Sequence, residues 1–75
     1  MRKISYNPLW KKLIDLKMKK SELIKAASLS RSTLTQLNHD ESVTLDTILR
    51  ICNALDCEVY DVVEMKHEDN VEAPQ

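Results

Sequence analysis

Residues 20–37 read Lys20-Ser21-Glu22-Leu23-Ile24-Lys25-Ala26-Ala27-Ser28-Leu29-Ser30-Arg31-Ser32-Thr33-Leu34-Thr35-Gln36-Leu37, and their pattern decides the fold. Leu23, Ile24 and Ala27 stand at i, i+1 and i+4, one face of a short helix opened by Lys20 or Ser21. Glu22 lies near the start of that helix, where unpaired amides favour an anion. Ser28-Leu29-Ser30 interrupts the pattern, and Ser30 suits the N-cap of a following helix. That second helix has Leu34 and Leu37 on its inner face. Its outer face is Arg31, Ser32, Thr33, Thr35 and Gln36, polar throughout and without an acid. Leu23, Ala27, Leu29, Leu34 and Leu37 can pack the two helices against each other.

Outward from this segment the pattern stays helical. Asn7-Pro8 predicts a helix start, with Asn7 as N-cap and Pro8 at the first helical position. Leu9, Leu13, Ile14 and Leu16 then carry a helix over about residues 8–17, and Lys17-Met18-Lys19-Lys20 forms a polar connector. Trp10 lies beside that stripe and reads as a core or rim residue, since no other aromatic shares its segment. After a loop from Asn38 to Val43, Thr44 caps a helix whose Leu45, Ile48, Leu49, Cys52 and Leu55 form an apolar stripe. Asp56 ends it, Cys57 turns inward, and Val59, Val62 and Val63 predict a last short helix. No strand alternation is visible. The expectation is an all-α bundle of five helices over residues 1–65, with a disordered acidic tail at 66–75 whose one large apolar residue is Val71.

Composition narrows the function. Seventy-five residues suffice for one small domain. No apolar run is long enough for a membrane span, and Ser5, Tyr6, Asn7 and Pro8 interrupt a secretory pattern after Arg2 and Lys3. An intracellular, cytoplasmic protein is expected. The sequence has no glycine, which removes every glycine-rich phosphate loop and dinucleotide fingerprint. Cys52 and Cys57 are five apart, and His39 and His67 have no ligand-like spacing to them, so no metal, cofactor or disulfide framework is expected. The cysteines read as small core hydrophobes. No nucleophile–base pair is recognisable, and no enzyme activity is expected. Charge is divided along the chain: residues 1–37 hold nine basic side chains against Asp15 and Glu22, whereas residues 38–75 hold Arg50 and Lys66 against ten acids. Such asymmetry fits a polyanionic partner at one end, and equally an ordinary solvated surface.

A helix, a three-residue turn and a polar-faced helix match the geometry that places one helix in a DNA major groove. Lys20 and Ser21 put donors at the start of the first helix, where a phosphate can be held. Arg31, Ser32 and Thr33 lie in the first turn of the second, the end that reaches base edges, with Gln36 one turn on. Residues 20–34, followed by Thr44-Leu45-Asp46-Thr47-Ile48-Leu49-Arg50-Ile51-Cys52-Asn53-Ala54-Leu55, resemble the phage repressor and Cro-like (XRE-type) helix-turn-helix family over about residues 7–64. The resemblance implies a five-helix bundle that binds duplex DNA in transcription control. It puts Arg31, Ser32 and Gln36 at base-contacting positions and Lys20, Ser21, Asn38 and His39 at backbone-contacting or flanking ones. Thr33 joins the base-reading set and Thr35 the phosphate-contacting set. The sequence departs from the family where Ser28 and Asp56 replace glycines, and where Asp40 and Glu41 bring carboxylates that would repel a nearby phosphate. A homodimer on DNA is expected, with Tyr60, Val63 and Met65 as interface candidates. The competing expectation is a protein-interaction module, such as the binding half of an antitoxin.

Overall fold

The computed structural model of the chain describes residues 1–67. In chain order it has β1 (Arg2–Ser5), α1 (Asn7–Leu16), α2 (Lys20–Ala27), α3 (Arg31–Asn38), α4 (Leu45–Leu55), a 3-10 turn (Val59–Asp61) and β2 (Glu64–His67). Two helix starts follow the sequence directly. Ser30 Oγ accepts from the Thr33 N–H over 3.2 Å, and Thr44 Oγ1 accepts from the Thr47 N–H over 3.1 Å. At α2 the Glu22 carboxylate reaches back to accept from the Lys19 N–H at 2.7 Å. The Asn7 cap is corrected: Tyr6 is the residue before α1, and it provides no side-chain cap. Asn7 is already helical, and Ser5 Oγ accepts its N–H at 3.2 Å. Pro8 has no N–H to satisfy in that first turn.

Each of the four described helices is closed by a left-handed residue, directly after α1, α2 and α4 and one residue later after α3, although the chain has no glycine. Lys17, Ser28, Asp40 and Asp56 hold φ of 54–55°, the left-handed region. Each carries a steric cost of about 1–2 kcal/mol that glycine would avoid. In each case the next residue's N–H closes back five residues: Met18 to Leu13, Leu29 to Ile24, Glu41 to Gln36 and Cys57 to Cys52, over 2.9–3.1 Å. This closure brings the side chains of the joined residues together, which is why Cys52 and Cys57 meet.

The core is Tyr6, Leu9, Leu13, Leu23, Ala27, Leu37, Ile48, Ile51, Leu55 and Val62. Two predicted stripes are revised by it. Ile14 is 73 % exposed and Leu16 is also exposed, so α1 buries only Leu9 and Leu13 deeply. In α4, Leu45 (83 %) and Leu49 (56 %) face outward, while Ile51 is fully buried. Apolar residues cover more than half of that helix's circumference, and its packing against α2 selects the side that carries Ile51.

The fold is mostly helical but not all-α. β1 and β2 pair antiparallel, with Arg2 opposite His67, Lys3 opposite Lys66, Ile4 opposite Met65 and Ser5 opposite Glu64. The predicted fifth helix is only the 3-10 turn, after which Val62 enters the core. Lys66 and His67, assigned to the tail from sequence, belong to β2. The rest of that tail, Val71 included, lies outside the described residues. Tyr6 fastens the loop between α3 and α4 to the start of α1. Its hydroxyl donates to the Glu41 carbonyl at 2.6 Å, and its N–H donates to the Asp40 carboxylate at 3.2 Å. Burial raises the Tyr6 hydroxyl above its ordinary pKa.

Candidate nucleic-acid interface

The α2–turn–α3 unit carries the predicted face. Arg31 and Ser32 are exposed at the leading end of α3, and no carboxylate pairs with Arg31 among the described residues. Ser21, Arg31 and Thr35 come together with Ile24, Lys25 and Leu34 along a shallow groove between α2 and α3. The hydroxyls differ from one another in freedom. Ser30 Oγ shares 3.0 Å hydrogen bonds with Ser32 Oγ and with Thr33 Oγ1, so both hydroxyls belong to the cap of α3. Thr35 Oγ1 donates to the Arg31 carbonyl at 3.1 Å. Gln36 is half-buried one turn beyond Arg31, and its carbonyl accepts from His39 and Glu41.

Lys20 and Asn38 are eighteen residues apart and in direct contact: Lys20 Nζ donates to Asn38 Oδ1 at 2.7 Å. The same ammonium lies 4.2 Å from the centre of the Trp10 ring. Sequence reading left Trp10 as a core or rim residue and missed this contact, because nothing local links residue 10 to residue 20. His39 shares a cleft with Arg2, Lys3, Ile4, Asp40 and Ser42, so β1 adds basic side chains beside the end of α3. No sequence signal pointed there, since the strand itself was not anticipated. Asp40 stays exposed beside His39 and keeps its charge, while its carboxylate also accepts from the Tyr6 N–H.

The turn is held from behind. Arg50 Nη1 donates to the Ser28 carbonyl at 3.2 Å while its Nε pairs with Asp46 at 3.0 Å. The two cysteines sit away from this face. Burial, together with the neighbouring Cys52, pushes the Cys57 thiol up to about 11, and burial raises Cys52 as well. Both are therefore protonated near neutral pH, the reverse of a nucleophilic or metal-ligating thiol. Among the described residues no group of three His, Cys, Asp or Glu could hold a metal ion, and no helix is long and apolar enough to cross a membrane.

Two helices at a tight turn, with an acid-free polar face on the second and a held lysine at the start of the first, define a DNA-binding helix-turn-helix domain. The family model of the Cro/C1-type HTH DNA-binding domain matches residues 8–68, and the chain belongs to that family. It is similar to the crystal structure of the transcriptional regulator VanUg, at 45 % identity and a TM-score of 0.85, covering 89 % of each chain. No curated protein matches the chain.

Proposed function

We propose that the protein regulates transcription by placing α3 in the major groove of a specific duplex DNA site. The observation that carries this reading is the outer face of α3, which is free of acids and begins with an exposed arginine that no carboxylate pairs with among the described residues. Arg31 is the principal base reader, because guanidinium matches the paired acceptors on guanine's major-groove edge. Gln36 reads the next base step, while Ser32 and Thr33 contribute once their hydroxyls leave the Ser30 cap. Lys20, Ser21, Thr35, Asn38 and His39 hold the backbone and set the register. The similarity to a transcriptional regulator supports the regulatory role.

The protein works in the cytoplasm as a homodimer on its DNA. One module this small covers little DNA, and pairing two on one duplex is the natural route to affinity. Tyr60 and Met65 are exposed large side chains, and Val63 lies half-buried between them in sequence; these three are the candidates for the surface between the two copies. Titrating a random duplex at several salt concentrations tests the class: affinity should fall linearly on a log–log plot. Binding that ignores salt and DNA would favour a protein-interaction module. Selection from a random duplex library should then return an inverted, paired motif, and a single unpaired motif would count against the dimer.

A further inference from the structure

Trp10, Lys20 and Asn38 come from α1, α2 and α3 and meet at one ammonium group. Lys20 Nζ has three donors. One goes to Asn38 Oδ1 at 2.7 Å, and one flank of the group rests on the indole face, 4.2 Å from its centre. Indole attracts a cation through the negative face of its quadrupole. Lys20 and Asn38 are both exposed, so the remaining donor direction opens to solvent. With its oxygen turned to the ammonium, as charge requires, Asn38 keeps both Nδ2 donors facing away. The partner at position 38 is an amide and not a carboxylate, and no acid pairs with Lys20 among the described residues. The cluster therefore keeps a full positive charge with spare donors on two adjacent side chains, which is the recognition chemistry of a phosphate oxygen pair.

A free lysine is long, and holding it in one place on binding costs rotamer freedom. Here the Trp10 ring and Asn38 already contact the ammonium before DNA arrives. We infer that Trp10 is a positioning residue for DNA binding: its ring holds Lys20 beside Asn38 so that the ammonium and the Asn38 amide grip one backbone phosphate together. This rests on the reading of the α2–α3 face as the DNA surface. It adds a residue outside the helix-turn-helix unit, and it makes Lys20 and Asn38 partners at a single phosphate.

The test is a double-mutant cycle on the full chain, read as affinity for a random duplex at fixed salt well below the melting temperature. Trp10→Leu, which keeps apolar bulk but no ring, should weaken binding about two- to fivefold. Trp10→Phe, which keeps an aromatic face, should stay within about twofold of wild type. In a Lys20→Ala background, Trp10→Leu should cost almost nothing further, because the ring then has no ammonium to hold. Trp10 is the chain's only tryptophan, so Lys20→Ala should also shift its emission in the free protein. An equal loss from Trp10→Leu in both backgrounds would overturn the positioning role and make Trp10 merely structural; so would unchanged affinity, or unchanged emission in Lys20→Ala. If Trp10→Leu does not fold, Trp10→Phe and the emission measurement carry the decision. Wild-type protein without salt-dependent DNA binding would instead sink the DNA reading itself, and the phosphate grip with it.

Discussion

Arg50, on α4, donates to the carbonyl oxygen of Ser28, the left-handed residue through which α2 turns into α3. The core helix thus holds the turn that sets the angle between the two helices of the DNA-binding unit. Asp46 orients the same guanidinium from one helical turn away. Arg50 is half-exposed, so the bond serves geometry more than stability.

The bond uses the Ser28 backbone, so the side chain can be removed without breaking it. Ser28→Gly should relieve the left-handed strain of about 1–2 kcal/mol while loosening the unfolded chain. The net expectation lies between no change and a gain of about 1 kcal/mol in urea unfolding, with DNA affinity preserved. A loss larger than about 1 kcal/mol would mean that the turn depends on the serine side chain.

Tyr6 is buried and is joined by hydrogen bonds to the loop between α3 and α4 at two points. Tyr6→Phe keeps the ring and strands the Glu41 carbonyl, which should cost about 1–2 kcal/mol. Hydrogen exchange of the loop amides should accelerate in the variant. Wild-type stability would show that the carbonyl finds another donor.

Much of the fold was legible because it is written locally. Ser30 and Thr44 cap their helices as their side chains require, and Leu23, Ala27 and Leu37 reach the core at helical spacing. The sheet was not legible, because β1 and β2 are four residues each and about sixty apart, and every residue of β2 is exposed. Period-2 alternation needs a buried face to declare itself. In α4 the stripe was ambiguous, and only the placement of α2 buries Ile51 in preference to Leu45 and Leu49. At the proposed interface, residue types and helix faces could be read from sequence, which is what makes Arg31 and Gln36 candidates. Contacts between helices could not, so the Trp10–Lys20–Asn38 cluster and the hydrogen bond from Tyr6 to Asp40 emerge only in three dimensions.

Alkaline pH should destabilise the domain. The Cys57 thiol is raised from 9.0 to about 11, and the Tyr6 hydroxyl is also raised, burial being the largest cause in both. A raised pKa means that the folded state prefers the protonated group. The associated stability is complete below pH 9 and is lost as pH climbs through the folded value. Melting temperature should be level from pH 7 to 8.5 and then decline toward pH 11, with a shallower decline in Cys57→Ala. Equal declines in both proteins would remove Cys57 as a contributor.

Arg31 is the residue on which the account turns. It is exposed at the first position of α3, and no carboxylate neutralises it among the described residues. The most direct measurement is to select the operator from a random duplex library with wild-type protein, then compare wild type and Arg31→Ala on that operator and on every single-base variant of it. Arg31→Ala is expected to lose ~1–3 kcal/mol on the operator and to relax discrimination at one base pair in each half-site, with little change in melting temperature. A loss spread evenly over all sequences, with discrimination intact at every position, would contradict base reading by the leading end of α3.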